Sequence, residues 1–249
     1  MATSFGALCT DFYINQKLAL KMDLPRDRET ILHFFDRMRK GIPSMNRFRR
    51  YDGELALESS RRETEQRWLA LRRTSVRTGH VNPDSMEDAY SLHRLVLEMS
   101  PPYLTISPLD VDYLELLFGF DLECAENHDE VVYQALIEDS PLAPLLKVPG
   151  SRMLDVQPLF GLSLTPGGEW QAYFEVKTRT KTRRGSSQAY RHEPISVFLT
   201  IRRYGPVDRS EDLPVLMEQL GEKAETLATD RLVPHLLNPI ARHIPSGSA

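Results

Sequence analysis

The sequence predicts an α+β fold in which antiparallel sheets carry helices on one face. Three observations predict it. Stretches with apolar residues at every second position occur in runs instead of alternating one for one with helical stretches, which favours hairpins over parallel βαβ units. Pro166, Gly167 and Gly168 join two such stretches tightly, a hairpin signal. And the order β-α-β-β-α read over residues 1–105 returns as β-α-β-β-β-α over 106–249, giving two α+β halves with a boundary in the stretch that ends at Pro108.

The first strand spans Leu8 to Met22, with Phe12, Ile14, Leu18 and Leu20 on one phase, Lys17 and Lys21 on the other, and a bulge expected near Asn15 and Gln16. A helix follows, with Pro25 in its first turn. Asp27 and Glu29 sit at its positive end, and Ile31, Phe34, Phe35 and Met38 form its apolar face, until Gly41 and Pro43 stop it. Two strands come next, Phe48 to Glu58 and Arg67 to Thr78. A second helix opens at Asp84 or Ser85, buries Ala89, Tyr90, His93, Val96 and Leu97, and ends at Ser100, Pro101 and Pro102.

In the second half Tyr113 to Leu122 reads as a strand, and Asn127 caps a helix with Glu130 at its third position. A strand from Met153 to Leu164 leads into a long hairpin, Trp170 to Tyr204. Ser210 caps a helix reaching Leu227, and a last helical piece from Arg231 to His243 is kinked by Pro234 and Pro239.

Shifts of 101 and 102 residues lay the halves on each other, matching Asp11 and Phe12 to Asp112 and Tyr113, and Trp68 and Ala70 to Trp170 and Ala172. An internal duplication would leave such matches, and so would two units of the same layout. The layout is similar to that of saddle-shaped two-repeat folds such as the TATA-binding protein, a likeness of architecture that carries no function. No signature residues of that family occur here.

The composition, 41% hydrophobic and 27% charged over 249 residues, is that of a soluble globular protein. The opening residues lack the basic stretch of a signal peptide, and no apolar run is long enough to span a membrane. Cys9 and Cys124 lie outside any metal-ligand spacing, which suits two thiols in a reducing cytoplasm. Phosphate-binding glycine loops, H-E-x-x-H, C-x-x-C and G-x-S-x-G are all missing, so no cofactor or metal is implied.

Charge is where the sequence is uneven. The chain carries −4, yet the stretch from Lys177 to Arg203 holds Lys177, Arg179, Lys181, Arg183, Arg184, Arg191, Arg202 and Arg203 against Glu193 alone. Past Val176 the inward face of its first strand turns to Thr178, Thr180 and Thr182, so the strand is expected to outrun the core and project as an arm. Arg73 and Arg77 of the first half and His192 of the hairpin loop extend the patch. The resulting reading is a binding or interaction module that uses this basic hairpin, for self-association or a protein partner. The alternatives are nucleic-acid or other anionic-ligand binding, to which arginine forks are suited, and an enzyme acting on an anionic substrate with His80 or His192, both read as loop residues, as acid or base. His93 reads as a core histidine, His128 as a surface residue, and Asp110, Asp112 and Glu115 as a polar strand entry.

Overall fold

The computed structural model describes residues 4–60, 64–151, 153–179 and 193–245. Its strands are β1 (Asp11–Leu20), β2 (Arg47–Tyr51), β3 (Glu54–Glu58), β4 (Gln66–Arg72), β5 (Ser75–Val81), β6 (Val111–Leu122), β7 (Leu159–Ser163), β8 (Trp170–Lys177) and β9 (Ile195–Tyr204). All nine form one sheet, in the order β2-β3-β4-β5-β1-β6-β9-β8-β7, and every pairing is antiparallel. The two halves meet at the β1–β6 pair, where Asn15 lies opposite Leu117. Read outward from that pair, β5, β4 and β3 on one side stand where β9, β8 and β7 stand on the other.

The helices are α1 (Arg28–Gly41), α2 (Met86–Leu104), α3 (His128–Leu136), α4 (Ala143–Leu146), α5 (Leu213–Leu227) and α6 (Asn238–His243). They lie on one face of the sheet. Phe12, Ile14 and Leu18 of β1, Leu114, Leu116, Phe118 and Phe120 of β6, and Val197, Leu199 and Ile201 of β9 point at them and are fully buried. Strict alternation explains this: residues one apart leave the sheet on opposite sides, so the apolar phase of each strand selects the helix-bearing face.

Several local expectations need correction. The stretch read as one strand from Phe48 to Glu58 is the hairpin β2–β3, turned at Asp52 and Gly53, where Gly53 has a φ of 68° that glycine tolerates. The stretch Arg67 to Thr78 is likewise the hairpin β4–β5. The register of β1 shifts at Ala19 and Leu20, not at Asn15 and Gln16. Helix α1 begins after Pro25, with Asp27 accepting the Thr30 N–H at 2.8 Å. Helix α2 runs through Pro101 and Pro102 and ends at Thr105 in a left-handed conformation. β7 starts only at Leu159. Pro234 lies in a wide π-helical stretch, Ala228–Leu237, that continues α5; the wider turn accommodates a residue with no N–H to give.

The residue shifts that align the halves invert the faces. Phe12 points at the helices and Tyr113 away from them; Trp68 points away while Trp170 lies against Lys223 of α5. A one-residue slip exchanges the two sides of a strand, so those identities do not align equivalent positions. The strand count expected for the first half does not hold either: four strands separate α1 from α2 and three separate α4 from α5, so β2 has no counterpart in the second half.

Candidate functional site

The face of the sheet turned away from the helices is lined by rings and paired charges. Its central row, from β5 to β9, is Arg77, Lys17, Glu115 and Arg202. Arg202 donates from Nε to Glu115 at 2.8 Å and from its terminal nitrogen to Tyr204 at 2.6 Å. Its guanidinium lies 4.6 Å from the centre of the Tyr113 ring, 5.3 Å from Tyr173 and 5.4 Å from Tyr204. Burial works against that charge, but Tyr204 and Glu115 outweigh it and hold Arg202 protonated more firmly than an ordinary arginine. Beside this row Trp68 covers Gly79, Tyr13 covers Gly119 and Tyr173 covers Gly161, each ring occupying space that a Cβ would need. These are cross-strand partners, so each glycine lets a ring lie down on the sheet.

The cations singled out in the sequence are dispersed. Lys177 pairs with Glu175 at 3.1 Å, Arg73 with Asp23 at 2.8 Å, and Arg77 lies 3.7 Å from Glu54 and 5.8 Å from the Trp68 ring. Arg203 points to the helix side and donates to the carbonyls of Gly205 and Pro206. The Arg179 N–H donates to His128 Nδ1. Lys181, Arg183, Arg184, Arg191 and His192 lie outside the described residues. Thr178 is not beyond the core: it is buried and its hydroxyl donates to Asp129 at 2.5 Å, so the inward face stays anchored one step past Val176. Of the described cations of the hairpin, Lys177 and Arg202 meet carboxylates and Arg203 meets carbonyls, while Lys181, Arg183, Arg184 and Arg191 of the sequence lie in residues 180–192.

No family model matches the chain, and no curated protein matches it. Among solved structures, the crystal structure of the di-domain ARO/CYC BexL from the BE-7585A biosynthetic pathway is similar at 9% identity over 80% of this chain and 79% of that one, with a TM-score of 0.19. That score carries no argument about fold or function.

His80 is not in a loop. It sits on β5 under α2, fully buried, with Nε2 2.6 Å from Glu65 and 3.7 Å from Asp88. Burial depresses its pKa, with the Glu65 hydrogen bond acting the other way. Ligand atoms of Glu65, His80 and Asp88 lie within 4.8 Å of one another, a spacing a metal ion could use. Arg67 already fills that role, bonding Glu65 at 2.6 Å and Asp88 at 2.7 Å and lying 3.3 Å from His80. A second cation would have to displace it. Deeper in, Thr78 donates to Gln16 and lies 2.7 Å from His93 Nδ1, and burial lowers the His93 pKa to about 3. None of the larger pockets reaches either imidazole. The thiols are no better placed as nucleophiles: burial pushes Cys9 up to about 12 and raises Cys124 as well.

Sequence reasoning missed two grooves at the ends of the sheet. One, about 750 Å³, lies where α1 begins over β2, β3 and β4. The other, about 740 Å³, lies between the end of α3, α4 and β7. Both are floored by leucine, isoleucine and phenylalanine, but the first is rimmed by arginines and the second holds one carboxylate and one guanidinium, those of Asp155 and Arg231. His128, expected on the surface, is the first residue of α3 and is buried, its Nε2 3.1 Å from the Cys124 carbonyl.

Proposed function

We propose that this chain is an interaction module whose contact surface is the ring-lined face of the sheet, including β8 and β9, and that its partner there is a second copy of itself. The observation that carries the reading is the composition of that face. Tyrosine, tryptophan and arginine are the residues enriched where protein interfaces concentrate their energy, and here they occupy consecutive strands. Arg72, Arg77, Lys177 and Arg202 of that face have acidic partners in Glu54, Glu175 and Glu115. A face carrying both signs can meet its own copy across a two-fold axis, whereas a phosphate track needs a surplus of one sign. Nine strands about 4.8 Å apart span roughly 38 Å, wide enough for an interface of ordinary size. Cytoplasmic placement belongs to the same reading: both cysteines are free, and no described helix is long and apolar enough to cross a membrane.

Light scattering tests the reading. The wild type is expected to have the mass of a dimer. Leu117→Arg, which puts a charge at the half-exposed centre of the face, is expected to give a monomer with an unchanged far-UV spectrum. A wild-type monomer at the highest attainable concentration rejects self-association. Anisotropy of labelled RNA and DNA at low salt covers the anionic alternative: tight binding, lost on replacing Arg179, Lys181 and Arg202 with Ala, would transfer the function to the basic hairpin.

A further inference from the structure

The groove at the start of α1 opens mainly on the helix side of the sheet, where Phe48, Arg50, Leu55 and Leu71 point, and only its border at Tyr51, Glu54 and Arg72 belongs to the ring-lined face. Its floor is apolar, built from Leu24, Ile31, Leu55 and Leu71, with Leu32 and Phe48 reaching it from exposed positions, 41% and 49% accessible. Its rim holds Arg26, Arg28, Arg50, Arg72 and Arg73. Two acids serve this ring. Asp23 bridges Arg73 and Arg26, and Glu54 holds Arg72. Arg28 and Arg50 have no acidic partner among the described residues, although they lie on different elements, the first turn of α1 and the edge strand β2.

This charge distribution works against the fold's own preferences. Arg28 occupies the first turn of α1, where the helix dipole disfavours cations. Arg50 projects on the helix side of β2, opposite Leu55 in the register, over an apolar floor. A carboxylate or phosphate would find there two guanidinium groups with no acidic partner among the described residues, beside a helix start already capped by Asp27. The apolar floor beneath requires that the anion carry a hydrocarbon body. The volume is within the range of small-molecule sites, about 300–1,000 Å³. The geometry points to a binding site for an anionic amphiphile, an acyl or alkyl chain ending in a carboxylate or phosphate, with Arg28 and Arg50 on the head group and Phe48, Leu32 and Leu71 along the chain.

Isothermal titration calorimetry with decanoate, decyl phosphate and decanol, each below its aggregation limit, tests this on the full chain. One or both anions are expected to bind at a single site at least tenfold more tightly than decanol, and their ranking tells carboxylate from phosphate. Arg28→Ala with Arg50→Ala, both exposed positions, is expected to weaken the preferred anion at least tenfold while the melting temperature holds. Phe160→Ala in the other groove is expected to change nothing. Equal binding of decanol, an unaffected double arginine variant, loss through Phe160→Ala, or absence of binding by both anions would each overturn the proposal.

Discussion

The two ends of the sheet follow one plan and are closed in different ways. At the second-half end, α3 is tied down where it starts. Asn127 accepts from the N–H groups of Asp129 and Glu130, and Asp129, fully buried, accepts from Val156 N–H at 2.9 Å and from the Thr178 hydroxyl. His128 binds the Cys124 carbonyl on one side and receives the Arg179 N–H on the other. At the first-half end, the start of α1 has the exposed Asp27 cap on Thr30 and no such buried tie. A helix start whose first-turn side chains are bonded to neighbouring segments is covered by them. One held only by an exposed cap leaves its first turn open to solvent, and it is there that Arg28 and Arg50 stand without acidic partners among the described residues. The difference teaches that a shared order of elements fixes where grooves form, while the ties at the helix ends decide what they can hold.

The largest effect should come from cutting the buried tie. Asp129→Ala leaves the Val156 N–H and the Thr178 hydroxyl unpaired in the interior and is expected to cost about 3 kcal/mol. Asp27→Ala removes an exposed cap and should cost about 1 kcal/mol. Urea unfolding curves compare them, the midpoint moving with an unchanged slope. Equal losses would mean that α1 is held as firmly as α3 by something else, and the contrast between the ends would collapse.

How much of this was legible beforehand varies by residue. Phe12, Ile14 and Leu18 announced the helix-bearing side of β1 because alternation is a local property of the chain. Asp52 and Gly53 were also legible as a turn pair, but the apolar residues on both sides of them read as one strand. Pro101 and Pro102 misled because α2 is packed on both sides of them, with Ser100, Pro101 and Leu104 buried, and packing overrides the usual stop signal. The cations of the hairpin were visible and their partners were not: Glu115 is 87 residues from Arg202 in the chain. The arginine-rimmed groove was beyond reach for the same reason, since Arg28 and Arg50 meet only once β2, β3 and β4 are laid beneath α1. His80 looked like a loop residue because burial came from α2 closing over β5.

Acid should sharpen the contrast next, through the first half. His93 is neutral in the fold, with its pKa lowered to about 3 by burial and, to a smaller degree, by His80. An unfolded chain returns it to about 6.5. Between those values the unfolded state binds more protons, so stability rises with pH across this window and is lost as pH falls through it. The slope is about 1.4 kcal/mol per pH unit, or about 2 kcal/mol lost on going from pH 6.5 to pH 5. His80, lowered in the same direction, steepens the fall. Hydrogen exchange at pH 5 is expected to show β5 and α2 losing protection before β8 and β9. His93→Gln should flatten the slope; an unchanged slope would place the acid sensitivity elsewhere.

The smallest effect of all should come from one of two glycines beneath the rings. A Cβ at Gly79 would stand 2.2 Å from the Trp68 ring and 2.4 Å from the Asn15 side-chain oxygen. That ring is hemmed in: Arg77 lies over it, and β3 and β1 flank the strands beneath. At the opposite end, a Cβ at Gly161 would stand 3.0 Å from the Tyr173 ring, on a strand with no neighbour beyond it. Tyr173 can tilt outward by a few tenths of an ångström, and the added methyl restricts the unfolded chain. Gly79→Ala is therefore expected to cost about 2 kcal/mol by overpacking, and Gly161→Ala to change stability by less than about 0.5 kcal/mol. Thermal melts of the two variants decide the matter. A cost at Gly161 as large as that at Gly79 would mean that the edge strand is held as rigidly as the interior, as a partner seated on the ring-lined face would hold it, so the melts should be repeated on the Leu117→Arg background. A Gly161 penalty that disappears there belongs to the assembled form and not to the sheet itself.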